Sequence, residues 1–384
     1  MMKQKITTPL IPLLLFGLIC LGSCAQIGEA PAEYKTKLPG EIAQPQETSP
    51  ETRKEAEPVA PTKSPAEEDG VIIKPPEVAI DKYQGVWLPF PREVAIALGD
   101  IDNLKADGIN TVSIGIKIRR DGDIFQDEGE KEIKKALNEF HKNGIKTFLI
   151  LNPAHPDLGI NPSRPEASGK PLLDKLTPLV LKWAQIAEDY AVEIFCPVNE
   201  PQLLSYQKEN DVSHWAQEIL PQLREIYHGK LAFLVQATGD GLPNYDLTGY
   251  DYVALGGFGA DSDIDTLPEA AEYKIDESLA RLKTAYPDLE YIYFGVGAFT
   301  GPDYYWWEPI APANMPEHMP ELPVDFFIVS PEGQAKFFNM FFAKSWEQVD
   351  GYFISVYKGC EYRNKPAEQV IRKWFNTGKP DRGS

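Results

Sequence analysis

The residues of this chain best suited to chemistry are Asn199-Glu200-Pro201, which directly follow the apolar run 192–198. An apolar run without polar alternation reads as a strand covered on both faces, and its C-terminal end is where barrels carry reactive groups. A carboxyl group in a partly desolvated pocket at that place has its pKa raised. It then stays protonated near neutral pH and can act as a general acid. Pro201 fixes the backbone just beyond the acid and predicts an extended Glu200. The tripeptide alone would also suit a solvated glutamate at the start of a loop, so the elements that position it decide the reading.

Strand-like runs occur at 85–89, 111–116, 147–151, 193–197, 231–236, 252–256, 291–296 and 352–356. Between them lie segments whose apolar residues recur every three or four positions: Val94, Ala97, Leu98 and Ile101; Ile133, Ala136, Leu137 and Phe140; Leu176, Val180, Trp183 and Ala187; Val370, Ile371 and Trp374. Gly108 and Gly144 end two of these helices as left-handed caps would. Regular alternation implies parallel strands joined by right-handed crossovers. Eight such units predict an α/β fold, a (β/α)8 TIM barrel, with an open doubly wound sheet as the competitor. The competitor lacks its fingerprint, because Gly85-Val86-Trp87-Leu88-Pro89 runs into Phe90 with no glycine-rich phosphate turn.

Ahead of the barrel the composition marks two further segments. Lys3 and Lys5 precede the apolar stretch 9–19, too short to span a bilayer, so residues 1–23 read as a secretory signal. Its ending, Leu21-Gly22-Ser23-Cys24, resembles the bacterial lipobox, which implies that Cys24 becomes the lipidated first residue of an exported, membrane-anchored protein carrying diacylglyceryl and palmitate chains. Residues 24–78 are rich in Pro, Glu, Lys, Ala and Thr and cannot bury a core, so they predict a disordered, semi-extended linker. Residues 79–384 form the expected globular domain. A net charge of −19 and an isoelectric point near 4.8 argue against a nucleic-acid partner. Cys196 and Cys360 read as small buried hydrophobes rather than a disulfide, and the five histidines show no metal-ligand spacing. No metal or cofactor is expected, and the chain is read as a monomer.

With this register Glu200 ends the fourth strand, and the chain resembles the clan of retaining glycoside hydrolases on the (β/α)8 barrel, whose acid/base lies in an Asn-Glu-Pro at strand four. The resemblance covers about 83–375 and is nearest to the mannanase-like and cellulase-like branches. It implies that Glu200 protonates the glycosidic oxygen and that Asn199 binds the neighbouring sugar hydroxyl. The clan also supplies a Glu at the end of strand seven as nucleophile. Here that strand reads Tyr291-Ile292-Tyr293-Phe294-Gly295-Val296-Gly297-Ala298, with Gly295 at the aligned position.

Three other acids are candidates for the second carboxylate: Glu308, favoured, in the loop after strand seven, Glu361 after strand eight, and Asp240 after strand five. An inverting pair about 6.5–9.5 Å apart leaves room for a water and would tolerate a loop acid. Trp87, Phe90, Trp306, Trp307 and Tyr357 follow strands one, seven and eight as sugar-stacking candidates, whereas Trp183, Trp215, Trp346 and Trp374 read as core. Asn152, His155, Gln236 and Lys358 are further polar groups at strand ends, with His155 as well read as structural. Lys117, Arg119 and Arg120 hint at an acidic or modified sugar, although the arginines could pair with Asp121 and Asp123. The expectation is a carbohydrate-active hydrolase. Its alternative is a glycan-binding lipoprotein that has lost its nucleophile and its activity.

Overall fold

The computed structural model describes residues 82–121, 124–153, 169–201, 209–236, 242–257, 259–260, 268–298, 300, 304–305, 308–309, 329–356 and 360–378. The signal, the linker and Cys24 lie outside them.

Eight parallel strands form the core: β1 (Tyr83–Leu88), β2 (Thr111–Asp121), β3 (Lys146–Asn152), β4 (Ile194–Cys196), β5 (Lys230–Gln236), β6 (Tyr252–Gly256), β7 (Glu290–Ala298) and β8 (Gly351–Ser355). Each pairs in parallel with the next, and β1 pairs with both β2 and β8, so the sheet closes into a barrel as expected. The helices are α1 (Pro91–Leu98), α2 (Ile101–Ala106), α3 (Glu130–Lys142), α4 (Lys170–Asp189), α5 (Glu209–Ile226), α6 (Pro268–Ala285), α7 (Pro331–Ser345) and α8 (Pro366–Thr377). Local chemistry sets their ends. Gly108 and Gly144 have φ of 81° and 77°, the left-handed caps the sequence predicts. Ser330 caps α7 by accepting from the Gly333 N–H at 2.8 Å, with Pro331 in the first helical turn. The single apolar stripe expected over 94–101 is instead two helices, because the chain breaks at Gly99 and Asp100.

The two faces of the barrel wall pack differently. Outward residues such as Val112, Ile114 and Ile116 join the helix layer, where Trp183, Trp215, Trp346 and Trp374 are buried as expected. Inside, the rings of Phe148, Phe294 and Phe353 meet with centroids 5.3–5.7 Å apart and plug the barrel. Gly85 makes room for this plug, since a Cβ there would lie 2.5 Å from the Phe353 ring. In the helix layer, buried Asp107 accepts from Tyr362 Oη at 3.0 Å and faces Arg363 and Arg372 at 2.8 Å. This cluster ties the last helix to the C-terminal end of α2.

Two departures from the predicted strands shape the open end. Strand β2 continues past its last barrel partner, Lys117 against Asn152, and folds back in an antiparallel hairpin with Ile124–Asp127. In β7, Gly295 is a bulge residue at φ 64°: Phe294 opposes Phe353 and Val296 opposes Ile354, leaving Gly295 unopposed.

Candidate active site

Glu200 lies at the C-terminal end of the barrel, just beyond β4. The Asn199 N–H donates to the Leu151 carbonyl at 2.7 Å, which pins the end of β4 to β3. The side chain of Asn199 donates Nδ2 to Oδ1 of Asn152 at 3.1 Å. Two of the predicted binding residues are therefore joined directly beside the acid. Glu200 itself is 8% exposed, and burial alone raises its carboxyl from the ordinary 4.5 to about 7. Among the described residues no hydrogen bond or ion pair reaches that carboxyl.

The extended backbone expected at Glu200 is not found. Its φ is 49°, in the left-handed region, and Pro201 is already helical. The chain must turn from a strand into a helix within two residues, and this tertiary demand overrides the local preference. A non-glycine residue in this conformation costs about 1–3 kcal/mol and persists where the surroundings hold it, a pattern that concentrates at functional sites.

Trp87 supplies the floor of the mouth. Its indole packs edge-on against Phe294 at 4.7 Å and crosses Gly115, where a Cβ would sit 2.9 Å from Cη2. Gln236 and Ser355 are buried at the ends of β5 and β8. On β7 the bulge reverses the alternation, so Val296 and Ala298 join the outer core and Gly297 faces inward. A Cβ on Gly297 would lie 3.2 Å from the Cys360 sulfur and 3.3 Å from Ser355 Cβ. The sequence alignment points to Gly295, but the inward position is Gly297, and its space is filled from beyond β8. The acid of β7, Glu290, begins the strand at the opposite end.

Of the candidate second carboxylates, Glu361 is described. It is 2% exposed, and its carbonyl accepts from Gln334 and Lys365. Glu308 pairs with Tyr305 in a two-residue hairpin, but its side chain lies outside the described residues. Trp306, Trp307, His155, Asp240, Tyr357, Lys358 and the Arg120 side chain lie outside them too. Cys196 is buried, with its thiol pushed up to about 12 by burial. Cys360 is half-buried, not fully buried as expected, and neither cysteine forms a disulfide. The basic residues of β2 pair differently from the sequence reading: Lys117 lies 3.1 Å from Glu128, and Arg119 also pairs with Glu128.

No family model and no curated protein matches the chain. Solved structures do. The GH113 beta-mannanase of Alicyclobacillus acidocaldarius aligns at TM-score 0.55 and 14% identity over 77% of this chain and 98% of its own. An endo-beta-1,4-mannanase from Thermotoga petrophila aligns at 0.53 and 11% identity over 79% and 78%. The beta-glucuronidase of Ruminococcus gnavus aligns at 0.51 and 13% identity over 79% of this chain and 50% of its own. These likenesses establish a shared barrel fold. They span enzymes of different sugars, so the residues at the mouth must carry the functional argument.

Proposed function

We propose that this chain is a glycoside hydrolase in which Glu200 is the general acid. The single observation that carries the reading is a buried carboxyl, raised to about 7, at the open end of a closed barrel and beside the bonded pair Asn152 and Asn199. Fold neighbours that are mannanases and a glucuronidase support it. In this mechanism the sugar ring packs on the Trp87 indole, Asn199 and Asn152 hold a hydroxyl next to the anomeric carbon, and Glu200 gives its proton to the departing glycosidic oxygen. The bond from the anomeric carbon to that oxygen breaks with its electron pair going to the oxygen. Water then adds to the anomeric carbon, and its proton passes to a base. Glu308, with Trp306 and Trp307 beside it, is the proposed base and sugar-contacting segment. The chain is further proposed to be exported and held to the membrane through lipid on Cys24.

A second reading is favoured by one observation: the inward position on β7 is Gly297, with Cys360 against it. A barrel so altered would bind glycan without cleaving it. Hydrolysis and binding assays across a polysaccharide panel, with wild type and Glu200→Gln, separate the two. Turnover by wild type that the variant loses supports the hydrolase. Binding without turnover by either protein supports the glycan-binding reading.

A further inference from the structure

Asn152 and Asn199 stand at the mouth because of the way β3 and β4 end. Along β3, Phe148 and Ile150 belong to the inner packing and Leu149 and Leu151 to the outer, so Asn152 continues the inward row. Pro153 follows and keeps Asn152 in the extended backbone of the strand. Just beyond β4, the Asn199 N–H is tied to the Leu151 carbonyl at 2.7 Å, one residue before Asn152. The backbone therefore fixes where each side chain starts, and Glu200 is the residue after Asn199.

The bond between the two amides has a direction. Asn199 gives Nδ2 to Oδ1 of Asn152 at 3.1 Å, and among the described residues neither side chain makes another hydrogen bond. Lys117, opposite Asn152 in the ladder, directs its ammonium to Glu128 at 3.1 Å instead. A side-chain amide has one acceptor oxygen and one donor nitrogen. The ends that this bond leaves over are Oδ1 of Asn199, an acceptor, and Nδ2 of Asn152, a donor. Asn199 is 8% exposed and Asn152 is half-buried, so a ligand group that fails to match either end leaves it poorly solvated, which is costly.

A free hydroxyl meets both needs at one oxygen, because it donates to Asn199 and accepts from Asn152. An ether oxygen accepts but has no proton to donate. The nitrogen of an acetamido group donates but does not accept, since its lone pair is shared with the carbonyl. That group also brings several more heavy atoms to a place where Asn199 and Glu200 are each only 8% exposed.

We infer that Asn152 is a specificity-determining residue, which orients Asn199 so that the pair selects one unmodified hydroxyl on C2, the ring carbon next to the anomeric carbon. The substrate class is then glycans with a free hydroxyl at C2, and 2-acetamido glycans are excluded. The inference rests on the carbohydrate reading of this site, and it holds in the hydrolase and the glycan-binding form alike.

The test measures, by calorimetry on Glu200→Gln protein, the affinities for cellotetraose, mannotetraose and chitotetraose. Cellotetraose and chitotetraose share backbone and linkage and differ only in the group on C2. Cellotetraose or mannotetraose should bind at least about tenfold more tightly than chitotetraose, and about tenfold more tightly than its own 2-deoxy form. Asn152→Ala should bring the ratio of hydroxyl to deoxy form close to one. Asn152→Asp still accepts from Asn199 but has no N–H to give, so its ratio should fall between the two, and it serves as the test if the alanine variant does not fold. A purely structural role for Asn152 would weaken both forms alike and leave the ratio unchanged. Such an unchanged ratio, or chitotetraose bound as well as or better than the other two, absence of binding to all three included, would overturn the inference. The hydrolase reading fails separately: wild-type protein that keeps the preference and turns over no member of the polysaccharide panel contradicts that reading and leaves this one standing.

Discussion

The burial of Glu200 has a thermodynamic consequence that can be measured without knowing the substrate. Its carboxyl rises from 4.5 in the exposed chain to about 7 in the folded protein. Below the lower value both states are protonated, and ionisation makes no difference to stability. Between the two values the folded protein keeps a proton that the unfolded chain has released, so stability falls as pH rises. Above about 7 both states are ionised and the full cost is present. At about 1.4 kcal/mol per pH unit, the gap is worth about 3 kcal/mol. Glutamine at this position has nearly the same shape and no charge at any pH. Glu200→Gln should therefore be more stable relative to wild type at about pH 8 than at about pH 4, by about 3 kcal/mol, with the change concentrated between the two pKa values. Urea unfolding of both proteins at several pH values reads this directly, and the difference between them cancels every other titrating group. A stability difference that does not vary with pH would refute the reasoning, because it would mean that the carboxyl is solvated in the folded state.

Other perturbations test how the fold holds the site. Asp107→Ala removes the buried carboxylate that Arg363 and Arg372 both face at 2.8 Å, and should lower the unfolding free energy by about 3 kcal/mol. A urea midpoint that drops with an unchanged slope would register it. Gly85→Ala forces a methyl to within 2.5 Å of the Phe353 ring and should cost about 1–3 kcal/mol through overpacking, measured by thermal unfolding. Gly295→Ala makes only an ordinary van der Waals contact, with Gly257 N at 3.6 Å. It should cost only the left-handed strain of about 1–2 kcal/mol, a smaller loss than at Gly85 if the bulge is real.

Much of the barrel was legible in the chain because its strands are continuous apolar runs and its helices carry narrow stripes. The caps at Gly108 and Gly144 were readable because the left-handed conformation is cheap only for glycine. Other features depend on tertiary demands that leave weak local marks. The left-handed Glu200 arises from the direction the chain must take after β4, against the preference that Pro201 imposes. The β7 bulge moves the inward position from the residue an alignment selects to Gly297, and a single inserted residue reverses every side chain beyond it. The hairpin after β2 had a signal that went unread: Ile116, Ile118 and Asp121-Gly122-Asp123 continue the alternation into a turn. That ladder sets Glu128 opposite Lys117, which is why Lys117 and Arg119 meet Glu128.

The most direct test of Glu200 as the proton donor compares two substrates of the sugar that the panel identifies. One is the natural oligosaccharide, whose departing alkoxide needs a proton. The other is a dinitrophenyl glycoside, whose leaving group departs without one. Glu200→Gln should lower kcat/KM on the first by about 10² to 10⁴-fold and leave the second nearly unchanged. Equal losses on both substrates, or no loss on either, would contradict the assignment of Glu200 as the acid.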